Sequence, residues 1–275
     1  MEIQLPEHIN LNRPESYILT IQVLPQGFAF SIYNPVDDGS YFYYRPEKEG
    51  RPFSADDLKE MYFDNEFFSL PFRKVNILNN TGVFTYVPSL VFEEKDKAVY
   101  MDFLYPKPKG KLLHQPLPFI GATVIHAMDE GLYEFFHRSF PEAVYIHHTA
   151  PLLVYFNERI RTVNAGRMIV NLNQGGIDVL CFRHDTFELG NHFAINQIDD
   201  AVYYILFVWK QLKYDQMKDF IYIAGQSGGK KQLMDALKEY IHNIIPANIV
   251  PTAHFERVDT GSIPFELASL SLCEL

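Results

Sequence analysis

The two halves of the chain contain the same order of predicted secondary-structure elements. In each half a β-hairpin and a third strand are followed by a helix, a further strand and a second helix. The elements of the first half start near residues 17, 28, 40, 54, 119 and 128, and those of the second half near 167, 177, 187, 197, 220 and 230. Only the order of elements repeats, not the residues. This order predicts two α/β domains of the same topology.

Local patterns support the individual elements. Apolar alternation on both sides of the turn from Leu24 to Gly27 predicts a hairpin. Ser54 is followed three residues later by Asp57, which predicts a capped helix start. Apolar residues at helical spacing between Ile198 and Leu212 predict a second helix, and a terminal strand is expected at 248–250.

The predicted domains are residues 1–164 and residues 165–275. The first contains a β-rich insertion at about 72–118, which includes a proline-bracketed loop. With the insertion set aside, the remaining elements of the first half are those of the repeat. The strand from 119 to 127 is assigned to the main sheet of the first domain.

Composition excludes several classes of protein. The chain has 275 residues, a length typical of about two domains, and 47% of them are apolar, which argues against disorder. Its formal net charge of −10 disfavours nucleic acid as a partner. Its two cysteines exclude a disulfide scaffold and suit a reducing cytoplasm. No signal peptide and no apolar run of membrane-spanning length is visible, so a cytoplasmic protein is expected.

The duplicated order of elements resembles the actin-like ATPase superfamily, in which two ribonuclease H-like domains enclose a cleft. The chain also resembles an uncharacterised bacterial domain-of-unknown-function family with this fold. The resemblance implies that a nucleotide binds between the domains. It implies that each domain offers a hairpin turn, usually Asp-x-Gly, that holds phosphates and Mg²⁺. It further implies a Gly-Gly loop that packs on the adenosine.

The match to these motifs is partial. The first turn, Leu24 to Gly27, lacks an acidic residue, and Pro25 removes one N–H donor. In the second half, Asn171 and Asn173 stand where the resemblance implies Asp-x-Gly. The candidate nucleotide-binding residues are Asn171, Asn173, Gly175, Gly176, Gly225, Ser227, Gly228 and Gly229. The competing interpretation is that these residues form ordinary turns with no ligand.

Residues 225–229 also satisfy the pattern G-x-S-x-G of a serine hydrolase, with Ser227 as nucleophile. The order Ser, Asp, His that such hydrolases need is not met downstream, because His254 precedes Asp259. Residues 224–231 depart from the phosphate-loop pattern at two required positions. No catalytic or metal-binding residue is therefore assigned. Asp178 and Asp199 are the acids considered for orienting a water molecule.

Two functional hypotheses follow. In the first, the protein is a non-catalytic or degenerate actin-like scaffold that acts through a protein partner and needs no cofactor. In the second, it is a switch that binds or hydrolyses ATP with Mg²⁺ in the interdomain cleft. Whether the chain is an enzyme, and whether it forms a homodimer, stay open at this point.

Overall fold

Two five-stranded mixed sheets form the framework of the protein in a computed structural model. The structure describes residues 2–37, 39–47, 51, 53–159, 165–225, 228–249 and 255–273. The first half contains these elements, in chain order: β1 (Ile18–Leu24), β2 (Gly27–Tyr33), β3 (Phe42–Tyr44), α1 (Ala55–Asp64), β4 (Lys74–Asn79), β5 (Phe84–Pro88), α2 (Lys97–Leu104), β6 (Lys111–Leu117), β7 (Ala122–Met128), α3 (Glu130–Ser139), β8 (Val144–His147) and α4 (Thr149–Arg159).

The second half repeats the order without an insertion. Its elements are β9 (Gly166–Asn173), β10 (Gly176–Arg183), β11 (Thr186–Ala194), α5 (Ile198–Gln211), β12 (Phe220–Gly225), α6 (Gly229–Leu237), β13 (Asn243–Pro246) and α7 (Phe265–Ser271). No helix in the described ranges has the length and apolar character needed to cross a bilayer.

The two sheets have the same strand order and the same strand directions. The first is ordered β3-β2-β1-β4-β8 and the second β11-β10-β9-β12-β13. In each, the central strand is antiparallel to the hairpin partner and parallel to the fourth strand. This repetition confirms the predicted fold class, two ribonuclease H-like modules in an actin-like arrangement with a β-rich insertion in the first. The predicted boundary at 164/165 adjoins residues 160–164, which lie outside the described residues, and it stays a prediction.

Three apolar layers alternate with the two sheets. One core packs α1 and α3 on the outer face of the first sheet, and another packs α5 and α6 on the outer face of the second. The third core lies between the sheets and contains α4 and α7, which contribute side chains such as Leu152, Phe156 and Leu267. Because this middle core takes residues from both halves, the two modules bury apolar surface against each other.

Helix starts follow the predicted capping chemistry. The Ser54 Oγ accepts a hydrogen bond from the Asp57 backbone N–H, and the Asp57 carboxylate accepts one from the Ser54 N–H at 2.7 Å. At α5 the Asp200 carboxylate accepts from the backbone N–H groups of Asn196 and Gln197. Its neighbour Asp199 is exposed in the first turn, on the outer side of the second sheet.

The assignment of a strand to the main sheet of the first half is wrong. The stretch from 119 to 127 does not join the main sheet: β7 is the central strand of a separate antiparallel sheet ordered β5-β7-β6. The fourth strand of the main sheet is β4, whose buried Asn76 and Asn79 interrupt its apolar pattern. Both side chains donate hydrogen bonds, to Thr20 and to the Ala127 carbonyl, which partly compensates their burial, and the Oδ1 atom of Asn76 has no hydrogen-bond partner among the described residues. The insertion therefore lies between β4 and α3, not at 72–118.

The terminal strand is also displaced from its predicted position. It is β13, at Asn243–Pro246, not at 248–250. Apolar spacing predicts that the helix before it continues to Ile244, but α6 ends at Leu237. Ile244 instead pairs with Ile221 in the parallel ladder between β12 and β13. An isolated apolar residue at helical spacing does not distinguish a helix end from a short strand.

The inserted sheet joins the two halves. Its β5 packs across β11 of the second half, where the Tyr86 and Phe187 rings lie 4.8 Å apart. Gly190 allows this approach, because a Cβ there would lie 2.3 Å from Tyr86 Cε2. Gly82 similarly lies against the His192 ring, because a Cβ at Gly82 would lie 2.4 Å from the Cδ2 atom of that ring. The insertion thus contacts the second half at two positions that require glycine.

Substitution Gly190→Ala tests this packing. The Tyr86 ring has little freedom to move, because its hydroxyl is hydrogen-bonded to Thr149 at 2.5 Å. We expect the variant to lose about 1–3 kcal/mol of unfolding free energy, as overpacked sites do. Urea denaturation measures this loss. In the control Gly228→Ala, the added methyl meets nothing within 4 Å, so a smaller loss is expected. Equal losses in the two variants would contradict the assigned contact.

Candidate functional site

The two predicted phosphate turns face a common cavity between the halves. The cavity has a volume of about 260 Å³ and is bounded by Leu24 at the end of β1 and by the β9–β10 turn. Its lining residues are Leu24, Arg45, Asn80, Leu172, Asn173, Gln174, Pro264, Phe265 and Glu266. The position matches the place where the fold would put the phosphates of a nucleotide, so its chemistry decides between the two functional hypotheses.

A buried carboxylate, Asp178 on β10, lies behind the second turn. Its Oδ2 is 2.8 Å from His148 Nε2, and its Oδ1 is 2.9 Å from His192 Nδ1. Asn173 Nδ2 donates to Oδ2 at 2.6 Å, and Asn171 Nδ2 does so at 3.4 Å. We call these five residues the interdomain bridge, because His148 belongs to the first half and the other four to the second.

Burial and charge act in opposite directions within the bridge. Burial alone would raise the pKa of the Asp178 carboxyl, but the His148 charge and the hydrogen bonds from both histidines hold that pKa below its usual value. Burial alone would lower the pKa of His148, but the facing Asp178 carboxylate raises it. The geometry therefore supports an imidazolium–carboxylate pair, with both side chains completely buried.

This arrangement assigns a structural role to the predicted turn residues Asn171 and Asn173. Both side-chain amides donate a hydrogen bond to Asp178, and Asn173 also lines the cavity. Asp178 is not available to orient a water molecule. Asp199, the other acid considered for that role, lies at the start of α5. The structure thus brings Asn171, Asn173 and Asp178 together and leaves Asp199 apart.

Backbone conformation and close contacts explain why glycine occupies several of the candidate nucleotide-binding positions. Gly175 has a positive φ of 102° in the turn between β9 and β10. A Cβ at Gly176 would lie 2.3 Å from the Phe193 carbonyl oxygen, and one at Gly225 would lie 2.2 Å from the Leu172 carbonyl oxygen. Gly228 and Gly229 cap and begin α6. Ser227 lies outside the described residues.

A second carboxyl group lies in the cavity itself. Glu266, at the start of α7 in the second half, accepts hydrogen bonds from Gln22 Nε2 at 2.9 Å and from Asn80 Nδ2 at 3.1 Å. Both donors belong to the first half. Burial raises the pKa of Glu266, while the His148 charge partly opposes that shift. Glu266 therefore ties the halves together where the fold would otherwise admit phosphates.

Sequence reasoning missed the buried histidines. The local pattern indicates polar residues at a strand end for His147 and His148, yet both are completely buried with rings 4.4 Å apart. His126 lies beside them, its Nδ1 2.9 Å from Asn79 Nδ2. Burial, followed by the charge of His148, lowers the pKa of His126 to about 3 and that of His147 well below 6.5. The signal in the sequence that could have marked this site is the His-His pair at the end of a strand, next to an apolar helix.

The bridge does not fit the Mg²⁺ that the fold family implies. The oxygens of Asp178 already accept from four side chains, and the His148 charge repels a cation. The Oδ1 atoms of Asn171 and Asn173 are buried without a hydrogen-bond partner in the described ranges, but they are neutral amide oxygens. Among the residues that the structure describes, no group of three His, Cys, Asp or Glu side chains is arranged to hold a metal ion.

Comparison with known sequences identifies the family. Residues 6–244 match the family described as "Protein of unknown function (DUF3822)". The chain belongs to this DUF3822 family. No curated protein matches the chain at a significant level.

Solved structures show the same fold. A protein of unknown function with an actin-like ATPase fold, from Bacteroides thetaiotaomicron, is 27% identical to this DUF3822 chain, with a TM-score of 0.83 over 97% of this chain and 99% of that one. A chain in the PilM–PilN type IV pilus biogenesis complex is 14% identical, with a TM-score of 0.53 over 94% and 98%. The second likeness shows the fold alone.

Substitution Asp178→Asn tests the interdomain bridge. It leaves His148 buried without an anion, and removing one member of a buried pair costs about 3–5 kcal/mol. The raised pKa of His148 contributes stability below pH 6.5 that is lost as pH rises through the raised pKa. The lowered pKa of Asp178 contributes stability above pH 3.8 that is lost as pH falls further. The stability difference from wild type should therefore be largest between pH 3.8 and 6.5.

Urea denaturation across pH measures this difference, with Asp199→Asn as the matched control. Asp199 is exposed, so its substitution should change the unfolding free energy by less than about 0.5 kcal/mol. A cost for Asp178→Asn as small as that of the control would show that the bridge does not hold the halves together.

The buried histidines predict acid sensitivity. His126 has a folded pKa of about 3 against an ordinary value of 6.5, so between these values the unfolded chain binds a proton that the folded chain does not. Its contribution therefore favours unfolding increasingly as pH falls from 7 to 5, by about 2 kcal/mol at pH 5. The variant His126→Gln should lose stability less steeply over this range. An identical slope in wild type and variant, measured by denaturation at each pH, would contradict the assigned burial.

Proposed function

We propose that the protein is a degenerate actin-like protein that works as a scaffold through a protein partner, without a nucleotide. The main support for this proposal is that the side-chain amides of the second predicted phosphate turn donate to Asp178, while the Glu266 carboxyl lies in the cavity between the turns. Phosphates need N–H donors and positive charge directed at them. Here the side-chain amides of Asn171 and Asn173 donate to Asp178, and the Glu266 carboxyl shares the cavity with one described cation, Arg45.

Side-chain bonds across the cavity support the same conclusion. The volume of about 260 Å³ is the space that the fold would give to the phosphates alone. Separation of the halves to widen it would break the hydrogen bonds from Gln22 and Asn80 to Glu266. A nucleotide would have to offset that loss before it bound.

The PilM–PilN complex gives a parallel for a protein-binding role. In it, a chain with this fold is part of a complex between two proteins of pilus biogenesis. The parallel concerns the fold, so the identity of a partner for the present chain rests on its own surface chemistry.

A nucleotide switch is the second candidate, favoured by one feature. A cavity of about 360 Å³ lies beside Gly225, where the fold would place the adenosine, and Lys230 lines it. The Lys230 ammonium group donates to the Ala247 carbonyl at 2.6 Å and to Asn248 Oδ1 at 3.0 Å. These contacts hold the lysine at the wall of the cavity.

Thermal unfolding with Mg²⁺–ATP separates the two candidates. A ligand at about 100 times its Kd adds about 2.7 kcal/mol of stability, which raises Tm by several degrees in a chain of this size. We expect no measurable rise with ATP, ADP or GTP at millimolar concentration. We also expect phosphate release no faster than that of Gly228→Trp, which places a bulky side chain at the start of α6. A saturable rise in Tm that Gly228→Trp abolishes would establish the switch instead.

A further inference from the structure

Helix α2 of the insertion is apolar on two opposite sides. Its eight residues are apolar or aromatic except for Lys97 and Asp102. The inner side packs on the inserted sheet, where Met101 is completely buried and shares a core with Val87 and Ile125. A helix that is apolar all round is normally covered on all sides. The composition of α2 therefore indicates that its outer side is also covered in an assembly.

The outer side of α2 contains Ala98, Val99, Asp102 and Phe103, all of which are exposed. Phe103 is 87% exposed and Val99 is 67% exposed. The Asp102 carboxylate accepts a hydrogen bond from the Lys107 backbone N–H at 3.0 Å, which engages it with the chain that follows the helix. We call Ala98, Val99 and Phe103 the outer face. Exposed apolar surface of this kind is typical of an interaction site.

The surroundings of α2 hold this face in place. The Tyr100 hydroxyl donates to the Val91 carbonyl at 2.6 Å, in the turn before the helix, where Leu90 is 99% exposed. At the other end, the Tyr105 hydroxyl donates to the Gly82 carbonyl at 3.0 Å. These bonds fix α2 to neighbouring parts of the insertion. Binding at the outer face therefore costs little conformational entropy of the helix.

The segments before and after α2 carry opposite net charges. Residues 107–111, after the helix, contain three lysines and no acid, which gives +3. Residues 93–97, at its start, contain three acids and two lysines, which gives −1. Both lysines at the start form salt bridges, with Glu93 and Glu94, which leaves the charge of Asp96 unbalanced. Lys107 and Lys109 form no salt bridge among the residues that the structure describes.

This order of charges and sizes makes the surface complementary to a second copy of itself. When two copies of α2 pack antiparallel about a two-fold axis, the acidic end of each lies against the basic end of the other. The same axis brings the large Phe103 side chain of one copy onto the small Ala98 of the other, as in ridges-into-grooves packing. A parallel arrangement would place like charges together. An anionic lipid surface would attract only the basic end.

We propose that the protein forms a homodimer through the outer face of α2, with the two helices antiparallel about a two-fold axis. The proposal concerns the insertion and not the cleft, so it does not depend on whether the protein is a scaffold or a nucleotide switch. A dimer of this kind presents two copies of every other surface of the chain. It would therefore strengthen the binding of a partner that has two matching sites.

Sedimentation analysis of the full chain over a range of concentrations tests the proposal. We expect a monomer–dimer equilibrium whose Kd rises at least tenfold in Phe103→Glu, because the variant places a charge in an apolar contact. Phe63→Glu is the matched control. Phe63 is a helical phenylalanine of similar exposure, 75%, and it lies in α1, so the same substitution there should leave the Kd unchanged.

Charge reversal tests the antiparallel arrangement. Asp96→Lys and Lys107→Glu should each weaken the dimer several-fold, because a two-fold interface contains every pair twice. The double variant with both changes should recover the wild-type Kd, since its reversed ends again match. The two side chains lie at opposite ends of a helix about 12 Å long, so this recovery does not arise within one chain. Asp96→Lys combined with Lys213→Glu, an exposed site in the second half, has the same net charge and should stay weak.

Several outcomes would overturn the proposal. One is a monomer at every concentration up to the millimolar range. Others are equal weakening by Phe103→Glu and Phe63→Glu, or a double charge variant no tighter than its single variants. Binding of the monomer to vesicles of anionic phospholipid that Phe103→Glu abolishes would assign the outer face to a lipid surface instead. Unchanged thermal unfolding of each variant shows that folding is intact. Since the measurement uses no nucleotide, its failure is distinguishable from a failure of the proposed function.

Discussion

The contact between His148 and Asp178 is the constraint on which the geometry of the candidate site depends. It joins the residue that precedes α4 in the first half to the central hairpin of the second, with both side chains completely buried. A buried charge pair is tolerated only when its remaining hydrogen-bonding capacity is satisfied. His192, Asn171 and Asn173 supply those bonds to Asp178. The residues nearest the expected phosphate site are therefore needed to keep the charge pair buried.

Under the proposed function, this requirement explains how the fold is retained without phosphate binding. The ribonuclease H-like modules fix where the two hairpin turns meet, and the middle core holds them together independently of any ligand. Within that frame, the contacts across the cleft run from Glu266 to Gln22 and Asn80 and from His148 to Asp178. These side-chain bonds between the halves occupy the place where a bound nucleotide would otherwise bridge them. The insertion adds the packing of β5 on β11 to the same closed arrangement.

Much of the fold could be predicted from the sequence because it depends on local signals. The hairpin at Leu24–Gly27, the Ser54 cap and the apolar stripe of α5 each define an element within a few residues. The identity of the fourth strand could not be predicted in this way. Strand β4 carries buried asparagines whose partners lie on β1 and β7, so its burial depends on tertiary hydrogen bonds. Strand β7 has the stronger apolar pattern but belongs to the inserted sheet.

Only those features of the candidate site that depend on local sequence could be predicted. The absence of acidic turn residues is visible in the sequence, and the pattern places Asn171 and Asn173 at the correct turn. Their bonding to Asp178, and the arrival of His148 from the first half, depend on contacts between residues 30 positions apart that no local pattern encodes. Glu266 comes from a helix 244 positions beyond Gln22, so the acid in the cavity appears only when the halves are assembled.

Hydrogen exchange at the two turns tests the central claim most directly. Backbone amides near Leu24–Gly27 and from Asn171 to Gly176 would be compared in the free protein and with millimolar Mg²⁺–ATP. If contacts within the chain, and not a nucleotide, hold the cleft closed, both turns exchange at the same rates with and without the nucleotide, and Asp178→Asn speeds exchange at the second turn. Slower exchange at both turns on addition of ATP would contradict the account, because it would mean that the turns still hold phosphates.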